Sequence, residues 1–133
     1  MRLALVFLLT FFSGILWSQE HRNLNSYEPT EEFDNIHVLK IAEDTLQSSF
    51  IIWVKKGVKG HFHQTHTENL VVIEGKAIMT IGEETITIRK GDYINIPNQT
   101  PHSVIEVLSR KPLKVLSIQS PLFDGKDRIF IEK

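Results

Sequence analysis

The chain has 133 residues, 41% of them hydrophobic, with seven glycines, five prolines and no cysteine; it is long enough for one packed core and too short for two comfortable domains. Its 15 basic residues stand against 16 acidic ones for a formal net charge of -1, and no basic stripe appears, which argues against a nucleic-acid partner. The lack of cysteine excludes a disulfide, a thiolate metal site and a cysteine-acylated anchor.

In chain order, the first expected element is a leader. Met1 and Arg2 open an apolar run over 3–12, and Ser13-Gly14-Ile15-Leu16-Trp17-Ser18-Gln19 follows. A positive start, an apolar stretch and a small residue at its end make the layout of a signal peptide over 1–19. A bilayer span needs about 20 apolar residues, so the expectation is an exported protein, secreted or periplasmic, with no stable membrane span after cleavage near Ser18 or Gln19. The competing reading is an uncleaved anchor. Residues 20–35 are polar and charged with little periodicity, and are expected to form a flexible lead-in.

Residues 36–133 are expected to form one β domain. Short β-rich runs at 36–41, 49–54, 70–74, 77–81, 85–89, 93–96, 103–108 and 113–119 are separated by turn signals, a spacing that predicts an antiparallel sandwich or barrel. Alternation is clearest in Glu84-Thr85-Ile86-Thr87-Ile88-Arg89, where Ile86 and Ile88 take one face. Gly82-Glu83 reads as a hairpin turn, and Gly75 and Gly91 allow sharp reversals. The tail contains an Asp124-Gly125 turn and a short apolar strand at 129–131, whose exposed edge favours a partner subunit.

Four residues carry the chemistry. His61 and His63 are two apart, so an extended strand points both to one face; Glu68 follows in the next segment, and His102 comes after Gly91 and Pro97. Neutral imidazoles with one carboxylate suit Mn, Fe, Co, Ni or Zn better than Ca or Mg. His66, between His63 and Glu68, is expected to be solvated or to support the ligands, with proton transfer as a further role. His21 and His37 are read as ordinary surface or core histidines.

The spacing resembles the cupin superfamily. Its first motif, loosely G-x5-H-x-H-x3,4-E-x6-G, is matched by His61, His63, Glu68 and Gly75, with Lys55 at the opening glycine. Its second, G-x5-P-x-G-x2-H-x3-N, is matched by Gly91, Pro97 and His102, with Gln99 at the third glycine and Glu106 at the asparagine. The resemblance covers roughly residues 36 to 120 and implies an all-β, antiparallel double-sheet jelly-roll barrel with a divalent transition metal held by His61, His63, Glu68 and His102. It also points to a homodimer.

The functional expectation is a metal-dependent enzyme acting on a small oxygen-rich molecule by isomerase, lyase or oxygenase chemistry. Glu106, His66 and Tyr93 are the candidates for acid–base work, and Trp53, Val104 and Gln119 are further candidate pocket positions. The alternatives are a noncatalytic cupin that captures a sugar or organic acid, and a barrel whose metal is purely structural.

Overall fold

A computed structural model describes residues 20–131. The expected leader lies outside them. Among the described residues no helix is long and apolar enough to cross a membrane.

Among the described residues ten strands form in chain order: β1 (Ile36–Glu43), β2 (Ser48–Val54), β3 (Val58–Phe62), β4 (Thr67–Glu74), β5 (Lys76–Ile81), β6 (Glu84–Arg89), β7 (Tyr93–Ile96), β8 (His102–Val107), β9 (Leu113–Ser120) and β10 (Ile129–Phe130). They pair antiparallel in two sheets, ordered β1-β2-β9-β4-β7 and β10-β3-β8-β5-β6. This is the double-sheet architecture expected from the sequence.

The period-2 pattern explains what faces inward. On β9, Leu113, Val115, Ser117 and Gln119 share a face and all are buried; on β4, Glu68, Leu70 and Val72 do the same. Leu113, Val115, Leu70 and Val72 join Val54, Met79, Ile88 and Ile96 in the core between the sheets. The inner faces are thus apolar through most of the barrel, and polar where Glu68, Ser117 and Gln119 sit.

The lead-in departs from expectation. Residues 20–35 are packed on the outer face of the first sheet, because β2 turns Ile51 and Trp53 outward and that apolar strip needs a cover. Tyr27, 6% exposed, supplies it together with Leu24 and Phe33. Lys114 fixes the backbone above by donating to Tyr27 O at 2.7 Å and Asn25 O at 3.3 Å. Aromatic and apolar residues spaced irregularly through a polar segment carry no periodic signal, which is why composition suggested flexibility.

Two glycine positions of the motif pattern have conformational content. Gly75 has φ 92°, and a Cβ there would come within 2.9 Å of Leu113 Cα. Gln99 stands where the second motif has its third glycine, and has φ 61°; its N–H donates to His63 O at 2.6 Å. A left-handed conformation costs a residue with a Cβ roughly 1–2 kcal/mol, against about 0.5–1 kcal/mol for glycine's greater freedom when unfolded. Gln99→Gly is therefore expected to leave stability unchanged or raise it by up to about 1.5 kcal/mol, as read by urea denaturation. A clear loss would show that the Gln99 side chain itself holds the loop.

Candidate metal centre

Strand pairing brings the three histidines together. His61 on β3 is the direct cross-strand partner of His102 on β8, and His63 follows two residues later, just beyond the end of β3. The ring centroids lie 4.2 Å (His61–His102), 5.4 Å (His61–His63) and 5.6 Å (His63–His102) apart. One ligating atom from each of the three falls within 4.8 Å of the others, and all three residues are buried. From the opposite sheet comes Glu68, buried within the barrel, with Oε2 3.3 Å from His102 Nε2 and 3.8 Å from His63 Nε2.

The ring orientations are fixed from behind. Nδ1 of His61 meets Lys59 O at 2.8 Å, Nδ1 of His102 meets Thr100 O at 2.9 Å, and Nδ1 of His63 meets the backbone oxygen of Asp127. A carbonyl can only accept, so each Nδ1 carries a proton, and in a neutral ring that leaves Nε2 as the nitrogen free to ligate. Nε2 of His63 and of His102 are buried without any hydrogen-bond partner among the described residues. Two such atoms facing one point are costly unless something occupies it, and a divalent transition ion fits this donor set.

The charges suit the same occupant. Burial first, then the neighbouring His102, pushes the His61 pKa down to about 4, and burial likewise lowers that of His63, so both are neutral, lone-pair-bearing bases near pH 7. Burial would raise the Glu68 pKa, but the His102 imidazole and the hydrogen bond from Ser117 outweigh it and hold the carboxyl at about 2. Gln119 adds a second donor to Glu68, Nε2 to Oε1 at 3.3 Å. Glu68 is thus a fixed anion oriented by its two neighbours on β9.

Beside the histidines lies a cavity of about 70 Å³ walled by Val54, Leu70, Met79 and Val115, with Val104 and Arg128 also on its lining. It opens past Ile36 and Val38 of edge strand β1, which are 41% and 45% exposed.

Of the further expected site residues, Val104 and Gln119 are placed at the pocket or its ligands. Three are not. Tyr93 is 64% exposed and donates from its hydroxyl to Asn69 on the outer face, because β7 turns Ile94 and Ile96 inward. Trp53 belongs to the outer cluster beneath the lead-in. Glu106 is exposed: it shares parity with His102 in an ideal strand, but β8 carries an extra residue between the pairs Met79–Val104 and Ile78–Glu106, and this bulge reverses the facing of everything after it.

His66 is neither solvated nor aimed at the cluster. It is 4% exposed, with Nδ1 on the Asp127 carboxylate and Nε2 2.8 Å from Leu122 O. Both partners accept, so both ring nitrogens donate and His66 is an imidazolium. Burial alone would lower its pKa, but the Leu122 carbonyl and Asp127 raise it. Asp127 also takes the backbone N–H of Gln64, Thr65 and His66 and the Thr65 hydroxyl. Ser117 and Asp127 are functional positions that the motif spacing passed over. Ser117 had a signal, a small polar residue in phase with Leu113 and Val115; Asp127, far along the tail, had none.

Residues 50–119 match the family model for the cupin domain, a stretch from β2 to β9. An uncharacterized protein of Methanocaldococcus jannaschii is 38% identical over 72 residues, covering 54% of this chain and 57% of that one. Quercetin 2,3-dioxygenase of Bacillus subtilis is 31% identical over 75 residues, covering 53% of this chain and 22% of the enzyme. The chain thus spans little more than half of the first relative's length and a small part of the second's. Among solved structures, an uncharacterized Klebsiella pneumoniae protein with a double-stranded β-helix domain superposes with a TM-score of 0.71, covering 87% of this chain and all of that one at 15% identity, a likeness of fold.

Proposed function

The chain belongs to the cupin family, and on that premise we propose that His61, His63, His102 and Glu68 hold a divalent transition metal at which a small oxygen-bearing molecule is bound and transformed. The observation that carries this reading is the set of three imidazoles, each anchored through Nδ1 to a backbone carbonyl and presenting Nε2 to a common point beside an ionised glutamate. A bound ion would supply Lewis acidity toward a substrate oxygen, or redox chemistry if it is Fe, Mn, Co or Ni. The chain's own contribution is positioning. Ser117 and Gln119 hold Glu68 in place, neutral His61 and His63 donate lone pairs without giving up protons, and the apolar wall keeps bulk water from the reacting face.

Oxygenase, isomerase and lyase chemistry all use such a centre; the identity with the Bacillus subtilis dioxygenase supports the first. One observation favours a second reading, capture of an organic ligand without turnover. Glu106 and Tyr93 face away from the pocket, and His66 has both nitrogens committed, so Glu68 is the one carboxyl among the described residues that lines the cavity.

Metal-free protein is expected to take up one equivalent of cobalt(II), with a visible spectrum that shifts when small chelating acids or diols are added. No uptake would reject the metal centre; uptake with a spectrum indifferent to every oxygen donor would leave a structural metal. Turnover of a ligand that shifts the spectrum supports the enzyme, and tight binding without turnover supports the capture reading.

A further inference from the structure

The pocket has a cation that neither the metal reading nor the strand pattern uses. Arg128 lies in the tail, just before β10, and is among the residues lining the cavity with His61, Glu68 and His102. Pairing sets where the segment lies: Phe130 is the cross-strand partner of His61, and Arg128 stands immediately ahead of β10. The Phe130 ring sits 6.1 Å from that of His61. Among the described residues no carboxylate comes within 4.0 Å of the guanidinium. The adjacent Asp127 does not serve as its partner, since that carboxylate is occupied by five donors from Gln64, Thr65 and His66.

A guanidinium with no carboxylate beside it among the described residues, on the lining of a cavity with aliphatic walls, is a recognition element for a planar anion. Its fork of N–H donors matches a carboxylate in a way that an ammonium does not. The charges within the pocket point the same way. Arg128 and Glu68 are the charged side chains on the lining, and a divalent ion set against Glu68 alone would leave the pocket positive.

We propose that Arg128 is the anion-recognising residue of this pocket, and that its ligand is a small carboxylate with a short apolar body. The carboxylate meets Arg128 at the mouth, and the body lies against Val54, Leu70, Met79 and Val115. The volume of about 70 Å³ sets the size of that body: it is about half the engineered cavity of roughly 150 Å³ that takes benzene, so a short chain fits and a fused ring system does not. The proposal deepens the reading of the site as a small-molecule centre, but Arg128 is present whether or not a metal is.

The test compares butanoate, butanamide and 1-butanol, titrated into the full-length protein in metal-free and cobalt-loaded forms and followed by NMR shifts and calorimetry. Butanoate is expected to bind in both forms, with the amide and the alcohol at least about tenfold weaker. Charge-assisted hydrogen bonds are worth about 1.5–3 kcal/mol, so Arg128→Gln should weaken butanoate by about tenfold to a hundredfold, leaving the alcohol and the cobalt content unchanged; Arg128→Lys should fall between. Three results would overturn the proposal: butanamide binding as well as butanoate, Arg128→Gln binding butanoate like the wild type, or no butanoate binding in either form. Failure of cobalt uptake would reject the metal centre alone, because the metal-free titration still decides for or against Arg128.

Discussion

Alanine in place of His61, His63 or His102 should cut cobalt(II) or zinc(II) affinity by at least about a hundredfold, a floor set by what loss of a mere supporting contact does to a metal site. The fold should survive, because the apolar core between the sheets does not depend on the imidazoles. Each truncation strands one backbone carbonyl acceptor, a cost of about 1–3 kcal/mol, offset in part at His63 and His102 because an unpartnered buried Nε2 goes with it. The distinguishing readout is the thermal midpoint with and without metal. Wild-type protein at a free metal concentration a hundred times its Kd should gain about 2.7 kcal/mol; the variants should gain close to nothing. Undiminished metal occupancy in all three would reject the ligand assignment. Acid should separate the folded and unfolded chains as well. The His61 pKa is lowered from 6.5 to about 4 in the fold, so the unfolded chain takes up a proton that the folded one refuses, and metal-free stability should fall between those values as pH drops.

The sequence carried the centre of this site because the jelly roll places residues by parity and pairing, and both leave marks in a linear chain. His61 and His63 are two apart, and Gly75 and Gly91 mark sharp turns, both with positive φ. Where the marks failed, a local departure from regularity intervened. One extra residue in β8 was enough to turn Glu106 outward, and nothing in Ser103-Val104-Ile105-Glu106-Val107 announces a bulge. Tyr93 faces outward, and an aromatic next to a turn gives no sign of its facing until the partner strand is known. Most telling is the tail: its Asp-Gly turn was legible, yet the long-range bonds of Asp127 to a loop more than 60 residues earlier and the place of Arg128 on the cavity lining were not.

Asp127→Asn should release that tail. The carboxylate binds five donors on the loop after β3, and its pKa is held well below the usual carboxylate range, as hydrogen bonds from His66 and Thr65 outweigh the effect of burial. Asparagine removes the charge and turns one acceptor into a donor, leaving the His66 imidazolium opposed. Breaking such a buried pair costs about 3–5 kcal/mol, somewhat less here because Asp127 is at the rim. The backbone oxygen of Asp127 also fixes Nδ1 of His63, so tail release should lower metal affinity by about tenfold to a hundredfold although no ligand has been changed. Hydrogen exchange at the Ile131 amide, bonded to Gly60 O, and tryptic cleavage at Lys126 and Arg128 should both accelerate. The wild-type clamp should itself depend on pH from both sides. The Asp127 contribution is complete above its ordinary value of 3.8 and is lost as pH falls through its lowered folded value; that of His66 is complete below 6.5 and is lost as pH rises through its raised one. Exchange at Ile131 should therefore be most protected, after correction for the intrinsic rate, between about pH 4 and 6.5, the window between the ordinary values of the two groups, and Asp127→Asn should flatten that profile. A variant with unchanged protection and unchanged metal affinity would show that the tail is held by the strand pairing of β10 alone.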